Sequence, residues 1–161
     1  MRSFNRFTDI PNEVRGAVIA LGNFDGLHRG HQSVIAQVRE IAAAGDHPVG
    51  IGLFRPHPYR FFKPDAPPFR LMSGGLREGL LGDFGVDVLF ELPFNDALRD
   101  MDDEEFVEIV LHQGLGIRHV VVGEDYGFGK NRCGDVDSLT RLCGARERPR
   151  RPPPGGRAEP P

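Results

Sequence analysis

Two histidines stand three residues apart in "GNFDGLHRGH", Gly22 to His31, directly after the apolar run Val18 to Leu21. Glycines at 22, 26 and 30 surround them. An apolar run, a tight glycine turn and a following helix make an anion site. The first backbone N–H groups of a helix lack partners within it, and the helix dipole favours negative charge there. Glycine lets the backbone approach a ligand with no Cβ in the way. His28 and His31 add directed donors at that point. Imidazole N–H groups can stabilise charge that builds on a phosphoryl oxygen or a leaving pyrophosphate, and such a transfer needs no covalent nucleophile.

The string differs from the common phosphate loops. The G-x-G-x-x-G of dinucleotide sites is absent. So is the Lys-Ser or Lys-Thr ending of a P-loop, which "GFGKN" at Gly127 to Asn131 also lacks. Other readings of the pair stay open. Two histidines at this spacing could ligate a metal, although no third soft ligand is near in sequence. They could also be plain turn residues. Phe24 could pack beneath the turn, and Asp25 could hydrogen-bond the local backbone as turn aspartates do.

These residues need elements to hold them. Val18 to Leu21 lies between Gly16 and Gly22 and reads as a buried strand. From His31 onward Val34, Ile35, Val38, Ile41 and Ala42 form one apolar stripe of a helix, which Gly45 is placed to end. "HPVGIGLF" reads as a second strand. The proline-rich "RPHPYRFFKPDAPPF" must be mostly loop. Ser73 can cap a helix carrying Leu76, Leu80, Leu81 and Phe84, stopped by Gly85. Gly79 and Gly82 inside it cost about 1 kcal/mol each relative to alanine.

"VDVLFEL" is a third strand. "MDDEEFVEIVLHQG" is a helix, with Asp102 as N-cap, a solvated acidic first turn that includes Glu104 and Glu105, and then Phe106, Ile109, Val110 and Gln113. "RHVVVG" is a fourth strand, and "VDSLTRL" begins another helix after a second glycine-rich loop. Short apolar strands alternating with amphipathic helices predict an α/β fold, an open parallel sheet with helices on both faces. Ligands of such sheets bind beyond the C-terminal strand ends. "GNFDGLHRGH", "RPHP", "PFNDALRD" and "GEDYGFGKNRCGD" should therefore face one crevice.

The chain of 161 residues is long enough for one domain with a real core. A net charge of −3 gives no reason to expect nucleic-acid binding. Cys133 and Cys143 are too few for a disulfide framework, and their spacing fits no common zinc pattern. The N-terminus lacks the look of a signal peptide, and no apolar run approaches membrane-spanning length. A cytoplasmic setting is expected, with no membrane and no evident protein partner. Charge is uneven along the chain. Gly144 to Pro161 carries five arginines and two glutamates, a local +3. With six prolines and no aromatic or β-branched residue after Leu142, this tail is expected to be disordered.

The ten-residue string is far more specific than its parts. "GNFDGLHRGHQ" resembles the nucleotide-binding motif of the nucleotidylyltransferase superfamily, an H-x-G-H core after a strand. Within it the chain resembles bacterial FAD synthetases, the bifunctional riboflavin kinase/FMN adenylyltransferases. "LFRPHPYRFFKPDAPPFRL", "GVDVLFELPFNDALRDMDDEEFVEIVL" and "HVVVGEDYGFGKNRCGDVDSL" are similar to that family's Pro-His-Pro loop, its next strand and helix, and its second glycine loop. The likeness covers about Phe7 to Leu142.

The resemblance implies a Rossmann-like fold of the nucleotidylyltransferase type, and adenylyl transfer from ATP to FMN with release of pyrophosphate and Mg2+ accompanying ATP. It implies that His28 and His31 are catalytic, and that Gly22, Asn23, Phe24, Asp25, Gly26, Gly30 and Asp125 bind ATP. It places Pro56, His57 and Pro58 on the flavin side and implies no resident metal. His57 could equally be an exposed loop residue. Phe61 and Phe62 could stack on a flavin or pack in the core. Lys130 and Arg132 could steer phosphates or simply be solvated.

Departures from the family are specific. No Ser-Ser-Thr-x-x-Arg segment occurs, and Gly127 stands where the family commonly has a larger, often basic residue. The expected organisation is a truncated adenylyltransferase domain over 1–143, incomplete at its C-terminus. A tail over 144–161 has the character of out-of-frame text from a GC-rich gene, and no riboflavin kinase domain follows. An inactive fragment that at most binds nucleotide, and a nucleotidylyltransferase acting on another phosphate ester, are the alternative functions.

Overall fold

The computed structural model describes residues 1–22, 24, 29–55, 65 and 74–122. Among them, β1 (Arg2–Phe4), β2 (Val18–Leu21), β3 (Val49–Arg55), β4 (Val88–Pro93) and β5 (His119–Val121) form one sheet. Every pairing is parallel, and the strand order is β1-β4-β3-β2-β5. β2 to β5 are the expected strands with small end shifts. β1 was not foreseen. It is three residues long and pairs with a strand more than eighty residues away, Arg2 opposite Val88 and Phe4 opposite Phe90.

The helices are α1 (Arg29–Gly45), α2 (Gly74–Asp83), the short α3 (Asp96–Arg99) and α4 (Asp103–Glu105), which continues as a π-helix over Phe106–Leu115. From β2 the chain steps to β3 and β4 in one direction. It then returns past β2 to lay down β5. Crossovers of one hand in opposite directions put their helices on opposite faces, and the core divides accordingly. Along β2, Val18 and Ala20 face the side packed by Val34, Ile35, Val38 and Ala42 of α1. Ile19 and Leu21 face the side packed by Phe106, Val107, Val110 and Leu111. All four β2 residues are buried, and each such side chain contributes about 1.5–3 kcal/mol on leaving water.

β3 does not fill both faces. Val49, Ile51 and Leu53 pack toward α1. A Cβ at Gly50 would lie 2.7 Å from Ile19 Cγ2 and 3.1 Å from Val88 Cγ1, and one at Gly52 would lie 2.7 Å from Leu21 Cδ2. The missing side chains make room for the large residues of β2 and β4.

The helix ends use local chemistry. α1 ends one residue later than its glycine suggests. Asp46 takes the left-handed conformation (φ 55°), and His47 N–H donates to the Ala42 carbonyl at 2.8 Å. α2 closes similarly around Gly85 (φ 89°). Gly85 N–H donates to the Gly82 carbonyl and Val86 N–H to the Leu81 carbonyl, both at 3.0 Å, while Val86 and Leu81 share the core. Ser73, the expected cap of α2, lies outside the described residues.

Asp102 caps α4 as expected. Its carboxylate accepts from Glu105 N–H at 2.8 Å, and Glu105 reaches back to the Asp102 N–H. Beyond it the expected stripe holds at Phe106 and Val110, both buried, and fails at its other two positions. Ile109 is exposed and Gln113 is off the core, while Val107, Leu111 and Leu115 are buried. The wider i→i+5 ladder of a π-helix places Phe106 over Leu111 and Val110 over Leu115. Arg15 holds its end, donating to the carbonyls of Gly114 (2.8 Å) and Gln113 (3.1 Å). A cation there also complements the helix dipole. No helix among the described residues is long and apolar enough to cross a membrane.

Three stability changes follow. Nothing lies within 4 Å of a methyl placed at Gly79, so Gly79→Ala stabilises by about 1 kcal/mol through helix propensity. Gly50→Ala destabilises by about 1–3 kcal/mol through overpacking. Urea denaturation reads both, and shifts of the same sign refute the division of the faces. Asp102→Ala lowers stability by about 1 kcal/mol in the same assay; an unchanged midpoint refutes the cap.

Candidate nucleotide site

The strand order reverses at β2, where the chain has first moved toward β3 and later arrives at β5 on the other side. Open parallel sheets bind ligands in the crevice at such a switch point, beyond the carboxyl ends of the strands. Because all strands are parallel, Leu21, Arg55, Pro93 and Val121 end at one edge. The four loops singled out in the sequence leave from that edge. Both glycine-rich ones leave from the switch point itself, after β2 and β5.

After Leu21 the chain stays tied to the sheet for one more residue, Gly22 N–H donating to the Gly52 carbonyl at 3.1 Å. Phe24 then takes a left-handed backbone (φ 54°). This is a genuine outlier for a bulky residue and costs about 1–3 kcal/mol. Its ring is 2% exposed and belongs to the core on the α1 side. A Cβ at Gly22 would lie 3.0 Å from Phe24 Cε2. Glycine at 22 therefore serves the ring as well as any ligand.

α1 starts at Arg29, two residues earlier than His31, so Gly30 and His31 are its second and third residues. No acidic side chain occupies this first turn, so none of its own residues opposes the positive end of the helix dipole. His31 is 1% exposed. Its ring centroid lies 5.0 Å from that of Phe24, with the planes 41° apart. The structure thus brings Gly22, Phe24, Gly30 and His31 together at the head of one helix. Asn23, Asp25, Gly26, His28, Pro56, His57, Pro58 and Asp125 lie outside the described residues, as do Phe61, Phe62, Lys130 and Arg132.

Three features at or near this edge were not found in the sequence. Arg55 Nη1 donates to Glu91 Oε2 at 2.7 Å, the carboxylate being mostly buried and the guanidinium half-exposed. The pair ties the residue before Pro56 to the neighbouring strand. On the other face Phe54 meets Phe94 edge-on, with centroids 5.6 Å apart, and Phe106 at 6.0 Å. This cluster can offer an apolar floor to a planar ring. Arg77, in the first half of α2, is 3% exposed beside the apolar Leu81. A single sequence contains no cue that pairs Arg55 with Glu91 or gathers the three phenylalanines; parallel pairing of β3 with β4 does the first and brings Phe54 near Phe94, and packing of the π-helix on that face adds Phe106.

The loop after β4 is not purely loop. Asn95 caps α3, its Oδ1 accepting from Leu98 N–H at 3.0 Å. Asp100, by hydrogen bonding and charge, with Asp96 beside it, holds the Arg99 guanidinium above its ordinary pKa. Arg99 is thereby committed to its own carboxylates, and this corner of the edge is acidic. Among the described residues no group of three His, Cys, Asp or Glu side chains is placed to hold a metal ion.

Comparison with known proteins fits this geometry. The family model for FAD synthetase matches residues 10–148. The bifunctional riboflavin kinase/FMN adenylyltransferase of Pseudomonas fluorescens is 43% identical over 127 residues, 79% of this chain and 40% of that protein. The protein of the same name from Escherichia coli K12 is 34% identical over 137 residues, 84% of this chain and 42% of the other. An FAD synthetase of Listeria monocytogenes is 35% identical over 135 residues, 83% of this chain and 54% of that one. The chain thus spans about two-fifths to one-half of the length of these curated relatives. In structure it is similar to a Streptococcus pneumoniae protein described as a macrolide-efflux protein. The TM-score is 0.76 at 22% identity, covering 94% of this chain and 57% of that one, and this likeness shows the fold alone. With a family model spanning most of its length and relatives above 30% identity, the chain belongs to the FAD synthetase family.

Proposed function

We propose that this chain transfers the adenylyl group of ATP to FMN, forming FAD and releasing pyrophosphate. The observation that carries the reading is the seating of His31 in the first turn of α1, which holds no acidic side chain, at the switch point of a family-matched fold. The adenylyltransferase unit is assigned to 1–143, with 144–161 as a separate tail.

In this reading an oxygen of the FMN phosphate attacks the α-phosphorus of ATP. A new P–O bond forms as the bond to the β-phosphate oxygen breaks, and the electron pair leaves with pyrophosphate. Magnesium arrives on the ATP phosphates as part of the substrate and neutralises part of their charge. The protein supplies position and charge stabilisation, which phosphoryl transfer requires. Backbone N–H groups at the head of α1 cradle the phosphates, with Gly22, Asn23, Asp25, Gly26 and Gly30 shaping the turn. His28 and His31 donate to oxygens that gain charge as pyrophosphate departs. A donor buried as His31 is acts in a medium of low dielectric, where it is worth more than in water. Asp125, after β5, completes the nucleotide side. FMN lies above β3 and β4, near Pro56, His57 and Pro58 and the phenylalanine cluster, and Phe24 packs beneath the turn on the nucleotide side.

FAD formed from FMN and MgATP, separated by chromatography, tests the proposal. The expected result is product above a no-enzyme control, with kcat reduced about 10²- to 10³-fold in His31→Gln and in His28→Gln. Product from neither wild type nor variants, together with calorimetric heats for MgATP that are the same in wild type and His31→Gln, overturns it.

A further inference from the structure

Phe24 has two properties that a simple core residue does not need. Its backbone is held in the left-handed region at φ 54°, where a bulky side chain is strained and persists only if its surroundings over-determine it. Its ring also meets His31 at 5.0 Å between centroids, tilted by 41°. If apolar filling were all that position 24 required, a relaxed backbone with an aliphatic residue on α1 would serve. The strain is tied instead to one particular placement of one ring.

The surroundings account for that placement. The ring is 2% exposed and shares a core cluster with Val18 and Ala20 of β2 and with Val34 and Ile35 of α1. It is therefore wedged between the strand that ends at the turn and the helix that begins after it. On its other side Gly22 leaves no Cβ to press on the ring, since one would come within 3.0 Å of Cε2. Strand, helix and glycine locate the phenyl ring, and the phenyl ring lies against the imidazole. His31 itself is 1% exposed, so a displaced ring could not be made good by solvent.

We infer that Phe24 is a positioning residue for His31: its ring, held by a strained turn between β2 and α1, sets the place and tilt of the imidazole before substrate arrives. This rests on the reading of His31 as a donor to the ATP phosphates. It differs from a role for Phe24 in lining the nucleotide pocket, because Phe24 acts through His31 and not on the nucleotide. Donors fixed in advance spend no reorganisation in the transition state.

The test compares Phe24→Leu with Val38→Ala, a change in the same core cluster away from the turn. The first readout is the imidazole 1H and 15N resonances of His31 in ligand-free protein at one pH, assigned by their loss in His31→Gln. Phe24→Leu is expected to move them through loss of the ring current and of the fixed tilt. Val38→Ala is expected to leave them in place while lowering the melting temperature. Gly22→Ala, which pushes on the ring from the opposite side, is expected to move them too and stands in if Phe24→Leu does not fold. Equal movement in Phe24→Leu and Val38→Ala, or none in Gly22→Ala, overturns the inference.

The second readout is kinetic. Phe24→Leu is expected to lower kcat about tenfold with KM for ATP within about twofold, the pattern of a misplaced group. A raised KM with unchanged kcat would mean direct contact with the nucleotide and overturns it. The resonance comparison needs no substrate, so it decides about Phe24 even if no FAD is formed. Conversely, a His31→Gln variant as active as wild type defeats the phosphate role of His31 while leaving the resonance result intact.

Discussion

The structure depends on β2, four residues that are hydrogen-bonded to β3 on one side and β5 on the other and covered on both faces. A strand in that position can carry no polar side chain on either face, since a buried group without a partner is costly. Val18, Ile19, Ala20 and Leu21 meet the constraint. Because β2 is where the strand order reverses, the chain emerging from it has no crossover packed directly over its end. The apolar requirement of the strand and the open crevice at its tip are two results of the same topology.

Keeping both faces filled without crowding explains the unequal use of side-chain size. Ala20 and Val18 are small on the side where α1 approaches, while Ile19 and Leu21 are large on the side where their register partners in β3 are Gly50 and Gly52. Interiors are packed to crystal-like density, so volume given up on one strand must be taken up by its neighbour. Arg15 and the π-helix show the same economy at the far end of the molecule. The guanidinium that satisfies the Gln113 and Gly114 carbonyls also covers Gly116, whose left-handed backbone ends the helix.

At the site, the chemistry falls to positioning more than to reactive groups. The first turn of α1 gathers backbone donors, a helix dipole with no carboxylate in that turn, and a buried imidazole against a strained phenylalanine. Strain of this kind concentrates where function needs a geometry that the relaxed chain would not adopt. The head of α1 with His31 and Phe24 lies at the β2 part of the edge, and the aromatic cluster lies at the β3 and β4 part. A substrate pair with phosphates at one end and a flat ring system at the other suits that arrangement.

Much of this was legible before any coordinates. Short continuous apolar runs located β2 to β5, because burial on both faces leaves no polar position, and a 3.6-period stripe located α1, because burial of one face leaves a regular trace in sequence. Asp102 announced its cap, and "GNFDGLHRGH" marked the end of β2 and the start of α1, because both are local chemistry among neighbours. What tertiary structure decided has the opposite cause. β1 is visible only through its pairing with β4, and three residues carry no period. The π-helix exposes Ile109 and buries Leu111 because a widened ladder, anchored by Arg15 from a distant segment, rotates the stripe. Arg55 meets Glu91, and Phe54 meets Phe94, because β3 and β4 run parallel in one register, and Phe106 joins them only because the π-helix packs on that face of the sheet. Phe24 shows the division within one residue. Its sequence neighbours marked the turn, but only the packing of β2 against α1 put its ring on His31, since contacts across the chain are set by the whole fold and not by local propensity.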